Sequence, residues 1–269
     1  MNDRAAFAKL VETLSPWTHQ LVFVGGWAHR LYRLHPKAEA PAYQPLATLD
    51  ADVAFAERER LDGSIKARLQ EAGFEEQLTG HHQPPVSQYT LGEEDPSGFY
   101  AEFLTPLVGP STTREGKHLA TLGKAGITAQ RLRYLDLLLT APWTVALTPE
   151  WGAATPLTVR IPNPVSFIVQ KLLIHDDRPR DKKAQDLLYI HDTLELFAPE
   201  LDHLMELWRN VVRPSMPDKW AQRALREKEA LFGVLHDRIR DAAAIPQDRD
   251  LDPERMRAMC AAVLSEMLA

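Results

Sequence analysis

The period of the apolar pattern changes once along this chain, and that change constrains the fold most. Up to about residue 161, short apolar runs alternate with helical stretches and turn-rich links. After Pro162 and Pro164 the period is helical throughout: "PVSFIVQKLLIHD", "KKAQDLLYIHDTLELF" and "PELDHLMELWRNVV" carry it, as do roughly 217–237 and 253–268. The pattern predicts an α/β (α+β) chain, with a small mixed sheet and flanking helices over 1–161 and a helical domain over 162–269.

Within the first part the spacing predicts a helix over 4–14, a strand over 20–24, and a helix from about 27 to 34 ended by Pro36. Pro36, Pro41 and Pro45 make 36–47 a loop. A strand is expected over 49–55, then a helix near 63–72 stopped by Gly73. A turn over 79–85 precedes strands at 86–91 and 99–104, paired as a hairpin across "GEEDPSG". Further short strands are expected near 130–138, 143–148 and 156–161.

Composition excludes several classes of function. No window reaches the length of apolar sequence a membrane span needs. The first residues include Asp3 and no apolar run, unlike a signal peptide, and the single cysteine, Cys260, builds no disulfide framework. Together these predict a cytoplasmic protein with no membrane partner, its thiol packed on the last helix. The net charge of −6 argues against a surface coated for nucleic acid, though not against a local basic patch. No H-x-x-x-H pair, G-x-S-x-G elbow or phosphate-binding G-x-x-x-x-G-K-[ST] loop is present, and His81-His82 read as solvated loop residues.

Chemistry concentrates in three stretches. In "LVFVGGWAHRLYRL" an apolar strand passes through Gly25-Gly26 into a helix. Such a unit offers backbone N–H groups and a helix N-terminus to phosphate oxygens, and glycine lets the backbone approach them without a Cβ. In "TLDADVAF", Asp50 and Asp52 stand two apart in a strand, so both carboxylates face one side while Leu49, Ala51 and Val53 face the other. Like charges so placed repel unless a cation lies between them, and a hard divalent ion such as Mg²⁺ or Mn²⁺ takes such oxygens. In "GFYAEFLTP", Glu102 is an acid in an apolar strand and needs a partner, which a shared metal would supply. Taken singly, the motifs read first as a tight turn at the glycines, a solvated strand face at the aspartates and a salt bridge or edge-strand acid at Glu102.

The order strand, Gly-Gly, helix, D-x-D strand, third acid resembles the nucleotidyltransferases of the DNA polymerase β-like superfamily. "VRIPNPVSFIVQKLLIHDDRPRDKKAQDLLYI" (159–190) further resembles the type IV toxin and abortive-infection nucleotidyltransferases. The resemblance implies that Gly25, Gly26 and the adjoining Trp27 bind the triphosphate of an NTP. Asp50, Asp52 and Glu102 would be catalytic and hold the metal, while Lys171, Lys182 or Lys183, and Asp186 would face the nucleotide. It implies transfer of a nucleoside monophosphate to an acceptor hydroxyl on tRNA, a protein or a small molecule, and an antitoxin as partner. Trp27 departs from the usual serine or threonine, Glu102 is a methylene longer than the usual Asp, and a proline-rich insertion separates the glycines from Asp50. These departures leave open a non-catalytic nucleotide-binding regulatory module, or a helical interaction protein whose acids are structural.

Overall fold

The computed structural model describes residues 2–80, 85–91, 98–110, 121–152 and 155–269. The chain forms two compact units, Met1–Leu34 with Ala47–Pro162, and His35–Leu46 with Asn163–Ala269.

The first unit opens with α1 (Asp3–Thr13), capped by the Asn2 side chain, which accepts from the Ala5 N–H. Its apolar face, Phe7, Leu10 and Val11, is fully buried. The strand β1 (Val22–Val24) runs into α2 (Gly25–Leu31). After the excursion through 35–46 come β2 (Asp50–Ala54), α3 (Ile65–Glu71), β3 (Glu75–Thr79), β4 (Val86–Thr90) and β5 (Tyr100–Pro106). Then follow β6 (Thr121–Lys124), β7 (Ile127–Leu132), the short α4 (Leu135–Leu138), β8 (Trp143–Leu147) and β9 (Leu157–Ile161).

Among the described residues seven strands form one mixed sheet in the order β1-β2-β5-β4-β3, with β7 also on β5 and β6 on β7. β2 and β5 are parallel, whereas β1 and β4 run antiparallel to their neighbours. β8 and β9 pair separately. Ala51, Val53, Ala101 and Phe103 are fully buried, so the two central strands each turn one face to the core. This is the mixed α/β architecture expected.

One expectation needs correction, and two strands are additions. The strand placed near 130–138 is β7 followed by α4; Tyr134, at φ +61°, turns the chain between them, and "LDLL" completes a helical turn. β3, "EEQLT", and β6, "TLGK", were not anticipated. Both lie at the outer ends of the strand order, where little of either strand is buried and no apolar alternation marks it. The expected turn at 79–85 and the linker at 92–98 fall largely outside the described residues.

The second unit is built on helices. Asn163 caps α5 (Pro164–Ile174) by accepting from the Ser166 N–H, with Pro164 at the first helical position, where a missing N–H costs nothing. α6 (Arg180–Leu196), α7 (Leu201–Leu207), α8 (Asp218–Phe232), α9 (Asp237–Ala243) and α10 (Pro253–Met267) follow. Cys260 on α10 is fully buried, and burial pushes its thiol well above the usual range, so it is inert. The proline-rich segment 35–46 is pinned to this unit. Lys37 pairs with Glu200 at 2.5 Å, the Tyr43 hydroxyl donates to Glu195 at 2.5 Å, and the Gln44 N–H donates to Asp248 at 2.7 Å.

His175, just beyond α5, is 1% exposed. Burial, then the charges of Arg238 and Lys183, push its imidazole down to about 4. An unfolded histidine titrates near 6.5, so the folded state disfavours the proton. The stability His175 contributes is present above pH 6.5 and is lost as pH falls through about 4. The shift corresponds to on the order of 3 kcal/mol. His175→Gln, which keeps a polar side chain that cannot titrate, is expected to remove most of that loss in urea denaturation at pH 7 and pH 4. Equal pH dependence in both proteins would contradict this.

Candidate active site

The register of the sheet gathers the predicted acids. Val24 is opposite Asp52, Asp52 is opposite Glu102, and Asp50 is opposite Tyr100. Asp50, Asp52, Tyr100 and Glu102 are all half-buried and alternate with fully buried residues, so they share one face across β2 and β5. The order of strands puts the glycine turn on the β1 flank of the aspartates and Glu102 on the opposite flank.

Gly25 lies at φ +65°, and a Cβ built on it would overlap Asp52 Oδ2. A Cβ on Gly26 would stand 2.9 Å from the Thr48 side chain. Only glycine therefore lets the turn close onto the acidic strand. Gly25→Ala is expected to cost about 1–3 kcal/mol through left-handed strain and to abolish any NTP-induced rise in melting temperature. Gly73→Ala is the control: Gly73 has φ +87°, yet a Cβ there meets nothing nearer than Lys9 Nζ at 3.7 Å. It should lose stability and keep the NTP response.

Two neutral donors hold the acids. The Thr48 hydroxyl donates to Asp50 Oδ1, and Gln88 Nε2 donates to Glu102 Oε1 from the strand position opposite it. Burial raises the Glu102 carboxyl above its usual range; the Gln88 hydrogen bond acts against this and the Asp50 charge adds to it. The Tyr100 hydroxyl is pushed up to about 12 by burial, then by Asp50, Glu102 and Asp52. The phenol therefore senses all three carboxylates as one patch of negative charge.

Trp27 points elsewhere. Its ring is fully buried and stacked on Phe7 at 4.2 Å and 7°, with the Arg30 guanidinium 4.2 Å from the ring centre. It offers the glycine turn its backbone and not its side chain.

Lys171, Lys182, Lys183 and Asp186 belong to the second unit. Lys171 Nζ lies 2.5 Å from Asp186 Oδ1, and Arg178 Nε is 3.1 Å from Asp186 Oδ2. Lys171 is 5% and Asp186 1% exposed, and the ammonium also sits 4.9 Å from the Phe167 ring and 4.8 Å from Tyr189. Lys182 and Lys183 are half-buried on the first turn of α6.

A second acidic group lies in this unit. Among the described residues only His191, Asp192 and Glu195 bring such ligand atoms all within 4.8 Å of one another, so the sheet carboxylates are more widely spaced. Arg249 already supplies the cation there. Its guanidinium is 2.5 Å from Asp192 and 3.5 Å from Glu195, and lies 3.3 Å over the Tyr43 ring. The group is a structural ion-pair network.

The sheet carboxylates differ. They offer oxygen ligands only, and among the described residues no Lys or Arg pairs with Asp50 or Glu102. That donor set suits a hard divalent cation.

Sequence reasoning missed Thr48, Gln88 and Tyr100. Thr48 precedes Asp50 by two residues, the spacing at which a strand repeats its face, so it was in principle legible; Gln88 needed the strand register.

Comparison with known proteins gives the class: the chain is a nucleotide-transferring enzyme by family. Residues 2–213 match a family described as nucleotidyltransferase, and the chain belongs to it. Among solved structures the chain is similar to MenT4, a nucleotidyltransferase toxin from Mycobacterium tuberculosis H37Rv. The likeness has 15% identity over 97% of this chain and 92% of that one, with a TM-score of 0.36. No curated protein matches the sequence. Among the described residues no helix is long and apolar enough to cross a membrane.

Proposed function

We propose that the chain transfers a nucleoside monophosphate from an NTP to an acceptor hydroxyl, with release of pyrophosphate, in a reaction that depends on a divalent metal. The observation that carries this reading is the in-register face of Asp50, Asp52 and Glu102 beside a glycine turn that has no room for a Cβ at Asp52. Asp50, Asp52 and Glu102 would hold Mg²⁺ or Mn²⁺, which supplies charge neutralisation for the phosphates.

The backbone at Gly25, Gly26 and Trp27 binds the triphosphate, using the N–H groups of a strand-to-helix turn. In-line displacement sets the attacking and leaving oxygens on opposite sides of phosphorus. With the pyrophosphate at the glycines, the acceptor approaches from the β5 flank, where Glu102 stands. Glu102 is the carboxylate placed to take the acceptor's proton. Lys171, with Lys182 or Lys183 and Asp186, is assigned to the nucleotide through the resemblance alone. The same resemblance adds a tRNA, protein or small-molecule acceptor and an antitoxin partner.

The test is transfer of label from each α-labelled NTP, with Mg²⁺, into cellular RNA or protein. Labelling with at least one NTP, abolished by chelator, is expected. NTP binding without label transfer or pyrophosphate release would identify a regulatory nucleotide-binding module instead.

A further inference from the structure

The chain treats its two sets of clustered acids differently. Asp192 and Glu195 face the Arg249 guanidinium, a permanent cation 2.5 Å from the first and 3.5 Å from the second. Asp50 and Glu102 face a hydroxyl and an amide, which orient a carboxylate without cancelling its charge. We infer that Thr48 and Gln88 are positioning residues for metal binding: each occupies one oxygen of its carboxylate and fixes the direction of the other. The inference rests on the proposed metal-dependent reading and adds residues that reading did not assign.

Three observations carry it. First, each donor uses a single oxygen, Oδ1 of Asp50 and Oε1 of Glu102, and among the described residues no hydrogen bond or ion pair takes the second. A carboxylate tethered at one oxygen loses its rotational freedom before the cation arrives, so less is lost on binding. Second, the placement is set by the fold. Gln88 is the residue directly opposite Glu102 on β4, while its neighbours Ser87 and Tyr89 donate to Glu76 at 3.0 Å. The alternation along β4 thus assigns Gln88 alone to Glu102. Third, Thr48 is buried and touches both halves of the site, donating to Asp50 while its side chain fills the space where Gly26 lacks a Cβ. It ties the glycine turn to the acidic strand. Partners of ligating carboxylates typically affect metal affinity by about 10–100-fold.

The experiment is a Mn²⁺ titration of the full chain, followed by the electron paramagnetic resonance of free Mn²⁺, which needs no turnover. Thr48→Val keeps the shape beside Gly26 and removes the donor; Gln88→Met does the same opposite Glu102. Each is expected to weaken Mn²⁺ binding about tenfold or more, with the urea midpoint in chelator close to wild type. Thr48→Ser, which keeps the hydroxyl, should bind within about twofold of wild type. The inference is overturned if Thr48→Val and Gln88→Met bind as wild type does, or if Thr48→Ser loses as much as Thr48→Val. Asp52→Asn separates the two levels. Loss of Mn²⁺ there with none in Thr48→Val or Gln88→Met sinks this inference and leaves the metal reading standing. No Mn²⁺ binding by the wild type overturns both.

Discussion

Asp52→Asn is expected to lower nucleotidyl transfer by about a thousandfold or more while leaving the melting temperature unchanged or raised. Asp52 is central to the site, opposite Val24 on one strand and Glu102 on the other, with Gly25 closing over its Oδ2. The amide keeps the shape and removes the charge. Loss of a carboxylate ligand forfeits several kcal/mol of transition-state stabilisation, and about 4 kcal/mol corresponds to roughly a thousandfold. Stability should not fall, because removing one of several clustered like charges relieves their repulsion. Label transfer and thermal melting on the same preparation check both halves. A variant that keeps full turnover would place the chemistry elsewhere, and one that fails to fold would make Asp52 structural.

Asp186→Ala is expected to destabilise the second unit by about 3–5 kcal/mol, the cost of leaving a buried charge without its partner. Lys171 is buried with its ammonium on Asp186, and the Phe167 and Tyr189 rings beside it do not replace a carboxylate. Lys171→Met should be milder, since Asp186 keeps Arg178 at 3.1 Å. Asp186→Leu combined with Lys171→Met should recover most of the stability, because apolar packing commonly substitutes for a buried pair. Urea denaturation measures all three. The double variant also separates two roles for Lys171. Refolding with the NTP response intact makes the pair a lock within the helical unit; refolding with the response gone gives Lys171 a part in binding nucleotide. Equal losses in both single variants would contradict the ordering argued from Arg178.

The two sites differ in how much of each is legible in the residues. The glycine pair and the D-x-D strand could be read because strand period and backbone sterics act over a few residues. The carboxylates of Asp50 and Asp52 had to share a face, and register then placed Glu102 beside Asp52. Trp27 follows the glycines and lends the turn its backbone, while its ring packs in the core against Phe7 with Arg30 beside it, which no local pattern announces. The buried Lys171–Asp186 pair was not legible as a pair, since it joins two helices across a packing geometry no local pattern encodes. β3 and β6 were missed because a polar strand at the end of a sheet owes its existence to its partner and not to its own sequence.

The central claim, that the glycine turn and the three acids form one metal-dependent nucleotide site, is most directly tested by thermal melting. Wild type and Asp52→Asn would each be melted with ATP, GTP, CTP and UTP in turn, with Mg²⁺ and with chelator. A ligand that binds only the folded state raises the transition in proportion to its occupancy. The account predicts a rise for at least one NTP that requires Mg²⁺ and disappears in Asp52→Asn. A wild type whose melting is indifferent to every NTP and to Mg²⁺, or a rise that survives in Asp52→Asn, would contradict it.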